Sequence, residues 1–160
     1  MKKMLIWIIM QFLYRGMKVL YHEDKRMKEE FDGWNKDKVI QLRVNHGPSI
    51  TIAYAYLKGL SKVHRHPDIV ITFKSIDTAL MVFTGQMSVK QAYLEHRFSL
   101  KGDVFESMRF VRCVDLTETY LFPRFMTKRI FNHYEKKYKP SLWIYLKAIL
   151  TLQGGIFYVF

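Results

Sequence analysis

Apolar positions recur along the chain with two different periods. From Met4 to Tyr21 they are nearly continuous, which predicts a helix that is apolar on almost every side, with Gly16 as its weak point. HEDKRMKEE (22–30) then carries mixed charges at helical spacing. Phe31 and Trp34 close this second segment and Gly33 stops it. The period changes to two at KVIQLRV (38–44), where Ile40, Leu42 and Val44 alternate with Val39, Gln41 and Arg43. NHGP (45–48) is a turn. SITIAYAYL (49–57) alternates Ile50, Ile52, Tyr54 and Tyr56 against Thr51, Ala53 and Ala55. Lys58-Gly59 turns the chain into a weaker strand, LSKVHRH (60–66). His66-Pro67-Asp68 turns it again into the β-branched strand IVITF (69–73). Short turns between successive strands predict an antiparallel meander.

Helical spacing returns after Phe73. Ser75 or Asp77 caps a helix carrying Ile76, Leu80, Met81 and Phe83, which Thr84-Gly85 stops. Ser88, with Gln91 three residues on, forms a capping box that opens a short helix, VKQAYLEH (89–96). Phe98 and Leu100 share one face of a short strand that ends at Gly102. A second capping box, Asp103 with Glu106, opens a helix holding Val104, Phe105, Met108 and Val111. Residues 115–138 are again helical in pattern, with a break near Pro123. Pro140 resets the chain and Ser141 caps a last apolar helix. Strands grouped first and helices grouped after them indicate an α+β fold.

Charge adds a direction to this picture. The net charge is +12, and residues 121–160 hold seven Lys/Arg against the single Glu135. This basic excess stands beside Trp143, Tyr145 and a long apolar run, a combination that suits an anionic membrane surface. Nucleic acid is the alternative, since Tyr120, Phe122, Phe125, Phe131 and Tyr134 interleave with basic residues. No RNP, zinc-finger or helix-turn-helix signature accompanies them, so nucleic acid is not the expected partner. The N-terminal MKKMLIWIIMQFLYRGMK opens like a signal peptide but runs into Arg15 without a small-residue cleavage site. The apolar run of the C-terminal segment is interrupted by Lys147 and Gly154-Gly155. Helices lying on, or folded against, the body are expected rather than spans, with Trp7, Trp143, Tyr145 and Lys147 as the docking residues. A cytoplasmic protein peripheral to the membrane is the corresponding expectation. The two apolar termini can also pair a second copy or anchor a membrane-bound scaffold.

Polar chemistry is sparse. Cys113 is the single cysteine, which excludes an internal disulfide and a Cys-based metal cluster. His64 and His66 share a strand face as a metal pair would, but no acidic or thiol partner lies near, and a solvated strand end accounts for them better. Glu95-His96-Arg97 reads as a surface charge cluster, because neighbours on a helix diverge. At Lys101-Gly102-Asp103 the acidic side chain itself occupies the helix start where an anion would sit. No nucleophile elbow, phosphate loop, dinucleotide fingerprint or zinc-protease motif is present. Neither catalytic residues nor a metal or cofactor are expected.

The segment IVITFKSIDTALMVFTGQMSVKQAYLEHRFSLKGDVFESMRF (69–110) resembles the sterol carrier protein type 2 lipid-binding domain. Its order is strand, capped helix, glycine, capped helix, short strand, glycine and capped helix. The most specific pieces are Thr84-Gly85-Gln86-Met87 and the FSLKGD turn (98–103). The strands at 39–66 fit the first part of that domain. The resemblance implies a five-stranded, mostly antiparallel sheet covered on one face by helices that enclose an apolar tunnel. It also implies a non-catalytic carrier of a sterol, a fatty-acyl chain or an isoprenoid. Carried onto this chain, the tunnel residues are Ile71, Phe73, Leu80, Met81, Met87, Tyr93, Leu94, Phe98, Leu100, Phe105 and Met108. Each of these residue types also suits plain core packing. The division implied is an N-terminal apolar helical extension (1–30), the lipid-binding domain (31–112) and a basic, apolar C-terminal helical extension (113–160). In its extra terminal helices the chain resembles bacterial members of the family that assist quinone biosynthesis.

Overall fold

The structure, a computed structural model, describes residues 1–33, 38–53, 66–122, 137 and 140–150. Trp34, residues 54–57, the weaker strand pattern over 60–65 with His64, the pattern at 123–136 and Gly154-Gly155 lie outside the described residues. The elements are helices α1 (Lys2–Glu23) and α2 (Lys25–Asp32), strands β1 (Val39–Val44), β2 (Ser49–Ala53) and β3 (Ile69–Phe73), helices α3 (Ile76–Phe83) and α4 (Val89–Leu94), strand β4 (Phe98–Lys101), and helices α5 (Val104–Leu121) and α6 (Ser141–Leu150).

Helix ends follow side-chain chemistry read from neighbours in the chain. The Ser75, Ser88 and Asp103 side chains accept the backbone N–H groups of Thr78, Gln91 and Glu106 at 3.1, 3.0 and 2.9 Å. Gly85 follows the end of α3 with φ 71°. Gly102 adopts φ 116°, and a Cβ there would stand 2.5 Å from the carbonyl oxygen of Asp68, so only glycine lets the β4–α5 turn pass under β3. Asp24 separates α1 from α2 and caps the second by accepting from the Arg26 N–H at 3.0 Å. Ser141 is the first residue of α6 rather than its cap, and its hydroxyl accepts from Lys137 at 2.7 Å.

Among the described residues the sheet has four strands in the order β2-β1-β3-β4, against the five implied by the resemblance. Two pairings, β1–β2 and β3–β4, are antiparallel. The central pair, β1–β3, is parallel, which corrects the meander. A short turn dictates antiparallel pairing only for strands that are neighbours in the sheet, and β3 enters beside β1, not β2. Asp68, read as a turn residue, pins this parallel pair: its N–H donates to Val39 O at 2.8 Å and its carboxylate accepts from Val39 N at 2.9 Å. The register puts Ile40, Leu42, Val44, Ile52, Ile69, Ile71, Phe73 and Phe98 on one buried face. Gln41, Arg43, Thr51, Thr72, Ser99 and Lys101 lie on the other. Phe73 centres the apolar face, with the Phe83 and Phe98 rings 5.2 and 5.5 Å away.

α1 is no appendage. Its Ile6, Met10, Leu13, Met17 and Leu20 belong to the same core as the sheet, and it packs on α2, α3, α5 and α6. By length and composition α1 could cross a bilayer, yet 44% of its apolar window is buried inside the protein. Gly16, the supposed weak point, lets α5 approach closely: a Cβ would stand 2.8 Å from Thr117 Cγ2. α5 runs without interruption from Val104 to Leu121, and a two-point bond from Arg112 to Glu30 (2.8 and 3.0 Å) ties it to α2.

Candidate functional site

Four helices meet around an apolar pocket. α1 contributes Ile9, Phe12 and Leu13 from one face, at the three- and four-residue spacing that stacks side chains on a helix. Phe83 comes from the last turn of α3, Leu121 and Phe122 from the end of α5, and Tyr145 from α6. The pocket holds about 340 Å³, within the range of small-molecule sites. The Tyr145 hydroxyl is the sole side-chain polar group among its described lining residues, and partial burial pushes that phenol up from its ordinary value.

The residues named from sequence fall into three groups. Ile71, Phe73, Met87 and Phe98 are buried in the core. Leu80, Met81 and Leu100 pack partly buried against it. Tyr93, Leu94, Phe105 and Met108 are exposed, Phe105 by 69%. None of the eleven lines the four-helix pocket, although Phe73 stacks edge-on against its wall residue Phe83. Of the four docking residues, Trp7 and Trp143 are exposed, Tyr145 turns into the pocket, and Lys147 pairs with Glu23 and lies 5.1 Å over the Trp143 ring. Ile9, Phe12, Leu13, Phe83, Leu121 and Phe122 are pocket residues that sequence reasoning missed. α1 is apolar on nearly every side, so no stripe marks the face that lines a cavity.

Ionisable groups near the helical layer are strongly conditioned by burial. Burial pushes the Cys113 thiol up, which leaves it a neutral packing residue. Burial also raises the Asp115 carboxyl to about 7. Glu118 is driven well above the usual carboxylate range, first by burial and then by Asp115. Asp24 differs: burial pushes it up, but hydrogen bonds from Arg26 and Tyr120 outweigh this and hold it below its ordinary value. Arg97 pairs with Glu95, beside His96 at the end of α4. Among the described residues no group of three or more His, Cys, Asp or Glu could hold a metal ion.

No protein-family model matches the chain, and no curated protein is significantly similar to it. Among solved structures, the chain is similar to Sterol Carrier Protein 2 Like 2 from Aedes aegypti, at 18% identity and a TM-score of 0.45 over 67% of this chain and 97% of that one. It is also similar to the sterol carrier protein domain 2 of Helicoverpa armigera, at 18% identity and a TM-score of 0.43 over 73% of this chain and 89% of that one. Both are sterol carrier protein 2 domains, the family that the order of elements over residues 69–110 resembles.

Proposed function

We propose that the protein is a non-catalytic binder and carrier of an apolar, lipid-class molecule, held in the four-helix pocket. The observation that carries this reading is the pocket itself: about 340 Å³ whose described lining is six apolar side chains and one phenol, with no convergent set of catalytic side chains among those residues. Transfer of a hydrocarbon tail into such a space is favourable by roughly 0.8 kcal/mol per CH₂, against the cost of immobilising it. The tunnel expected from sequence is represented in this reading by the pocket alone.

Loading at an anionic membrane surface completes the proposal. Met4, Leu5, Trp7 and Ile8 of α1 and Leu142, Trp143, Leu146, Ile149 and Leu150 of α6 are exposed on two helices that pack together. Lys2 and Lys3 stand at the start of α1, and large apolar groups with tryptophans and lysines suit the lipid headgroup boundary. The pocket lies against these same two helices, so a lipid could pass between bilayer and pocket without crossing the sheet.

Native mass spectrometry of the full chain, followed by lipid extraction, tests the carrier reading. A co-purifying lipid is expected. No such lipid, together with no binding of the neutral dye Nile red, removes the proposal. Co-sedimentation with phosphatidylcholine vesicles, with and without phosphatidylglycerol, tests docking. Binding should need the anionic lipid and weaken when Trp7 and Trp143 are both changed to serine. Equal sedimentation of this variant and the wild type excludes the surface.

A further inference from the structure

α6 is held to the body by little. Ile144 and Ala148, four residues apart, are its fully buried side chains, whereas α1 buries eight residues. Few buried apolar contacts mark the segments of a protein that open locally at small cost. At about 100° per residue, Tyr145 stands on one side of this buried strip and Lys147 on the other. Tyr145 forms a wall of the pocket, and Lys147 pairs with Glu23 of α1. The Lys147 side chain is 39% exposed, so a competing anion can reach it. Leu142, Trp143, Leu146, Ile149 and Leu150 face outward. α6 is therefore apolar on the face it shows as well as on the face it buries.

We propose that α6 is a membrane-operated lid: an anionic bilayer draws it off α1 and α5, and the pocket, left without its Tyr145 wall, exchanges lipid with the bilayer. This inference rests on reading the pocket as a lipid site and the outer faces of α1 and α6 as a docking surface. A surface shifts a conformational equilibrium only by what it binds better in one state. Two contacts belong to the detached helix alone. Ile144, Tyr145 and Ala148 pass from protein into lipid beside the five side chains already outside, so the bilayer returns what the core loses. Lys147 exchanges Glu23 for the net negative charge of an anionic headgroup layer, which a zwitterionic layer does not offer. In water neither exchange exists, and detachment would only expose Ile144 and Ala148, so the lid stays shut. Met4, Leu5, Trp7 and Ile8 of α1 keep the body on the membrane while α6 moves.

The test uses the full chain preloaded with Nile red and mixed with vesicles of phosphatidylcholine, with or without phosphatidylglycerol. The rate at which the dye passes to the vesicles is read by fluorescence. Wild-type release should be at least about tenfold faster into the anionic vesicles. Glu23→Gln, which removes the ion pair and leaves Lys147 in place, should release dye about 2- to 5-fold faster into pure phosphatidylcholine. Glu23→Cys combined with Lys147→Cys, joined by bismaleimidoethane, clamps α6 to α1 where these side chains meet. Cys113 is buried and escapes the reagent. The clamped protein is compared with the same variant whose two new thiols are capped separately with N-ethylmaleimide. Both forms should bind Nile red equally in buffer and sediment alike with anionic vesicles, but only the capped form should show accelerated release. If Nile red fails to bind the wild type, the lipid-site reading falls and the lid with it. If the dye binds but the wild type does not sediment with anionic vesicles, the docking reading falls and takes the lid along. If both readings hold and the clamped form releases dye as fast as the capped one, the lid alone is overturned. Unchanged release from Glu23→Gln overturns the role of the Glu23–Lys147 pair as its latch.

Discussion

The hydroxyl of Tyr120 donates a buried 2.9 Å hydrogen bond to Oδ2 of Asp24, joining the last turn of α5 to the junction of α1 and α2. Asp24 is itself buried and already holds Arg26 at 2.8 Å. The bond thus closes a network that sets how α1 and α2 meet α5.

Tyr120→Phe should destabilise the fold by about 1.5–3 kcal/mol, the worth of one hydrogen bond to a charged group, while Oδ2 keeps Arg26. The Asp24 carboxyl is held below its unfolded value, so its contribution is present above that value and is lost as pH falls through the folded one. The deficit of the variant should therefore be largest near about pH 7 and shrink below about pH 4. Urea unfolding of both proteins at the two pH values checks this.

Gly16 controls the approach of α1 to α5. A side chain there would meet Thr117 Cγ2 at 2.8 Å and Leu121 Cδ1 at 3.2 Å. Gly16→Leu should cost about 1–3 kcal/mol through overpacking. It should also weaken Nile red binding, because Leu121 lines the pocket. Thr117→Ser removes the crowded methyl while keeping the hydroxyl that bonds Cys113 O at 2.7 Å. The penalty of Gly16→Leu, read from melting curves, should be smaller in that background.

Asp115 gives stability a pH dependence of the opposite sign. Its folded value is raised to about 7 by burial. Its stabilising contribution is therefore fully present below the unfolded carboxylate range and is lost as pH rises through the folded value. Wild-type stability should fall across this window, from about pH 4 to about pH 8, by on the order of 2–4 kcal/mol from this group. Asp115→Asn cannot ionise and should flatten that slope in denaturant titrations.

The pocket and the residues named from sequence can be separated by mutation. Ile9→Trp should fill the space between the helices and weaken Nile red binding by at least about tenfold, with little change in fold by circular dichroism. Leu94→Ser, on an exposed position 67% accessible, should leave binding unchanged. Fluorescence titration of the two variants checks the contrast.

Much of the local structure is legible in the sequence alone. Ser75, Ser88 and Asp103 announce helix starts because a cap is chemistry between residues three apart. Gly85 and Gly102 announce stops because their backbone angles are open to glycine and strained for other residues. The alternation Ile40, Leu42, Val44 foretold which face of β1 is buried. These features depend on near neighbours in the chain, which the linear order of residues contains in full.

Partnerships across the chain were a different matter. Alternation names the buried face of a strand but not its neighbour, and β1 and β3 became parallel partners where a meander was expected. α1, apolar nearly all round, could have been an anchor or a core helix, and its contacts with α5, α3 and α6 settle that it packs in the core. Ile9, Phe83, Leu121 and Tyr145 share one cavity while lying far apart in sequence, and cavity walls use the same residue types as solid cores. Periodicity is a local quantity, set by backbone geometry over a few residues. Whether an apolar face meets another or leaves a gap depends on how whole helices approach, and that is set at points such as Gly16 against Thr117.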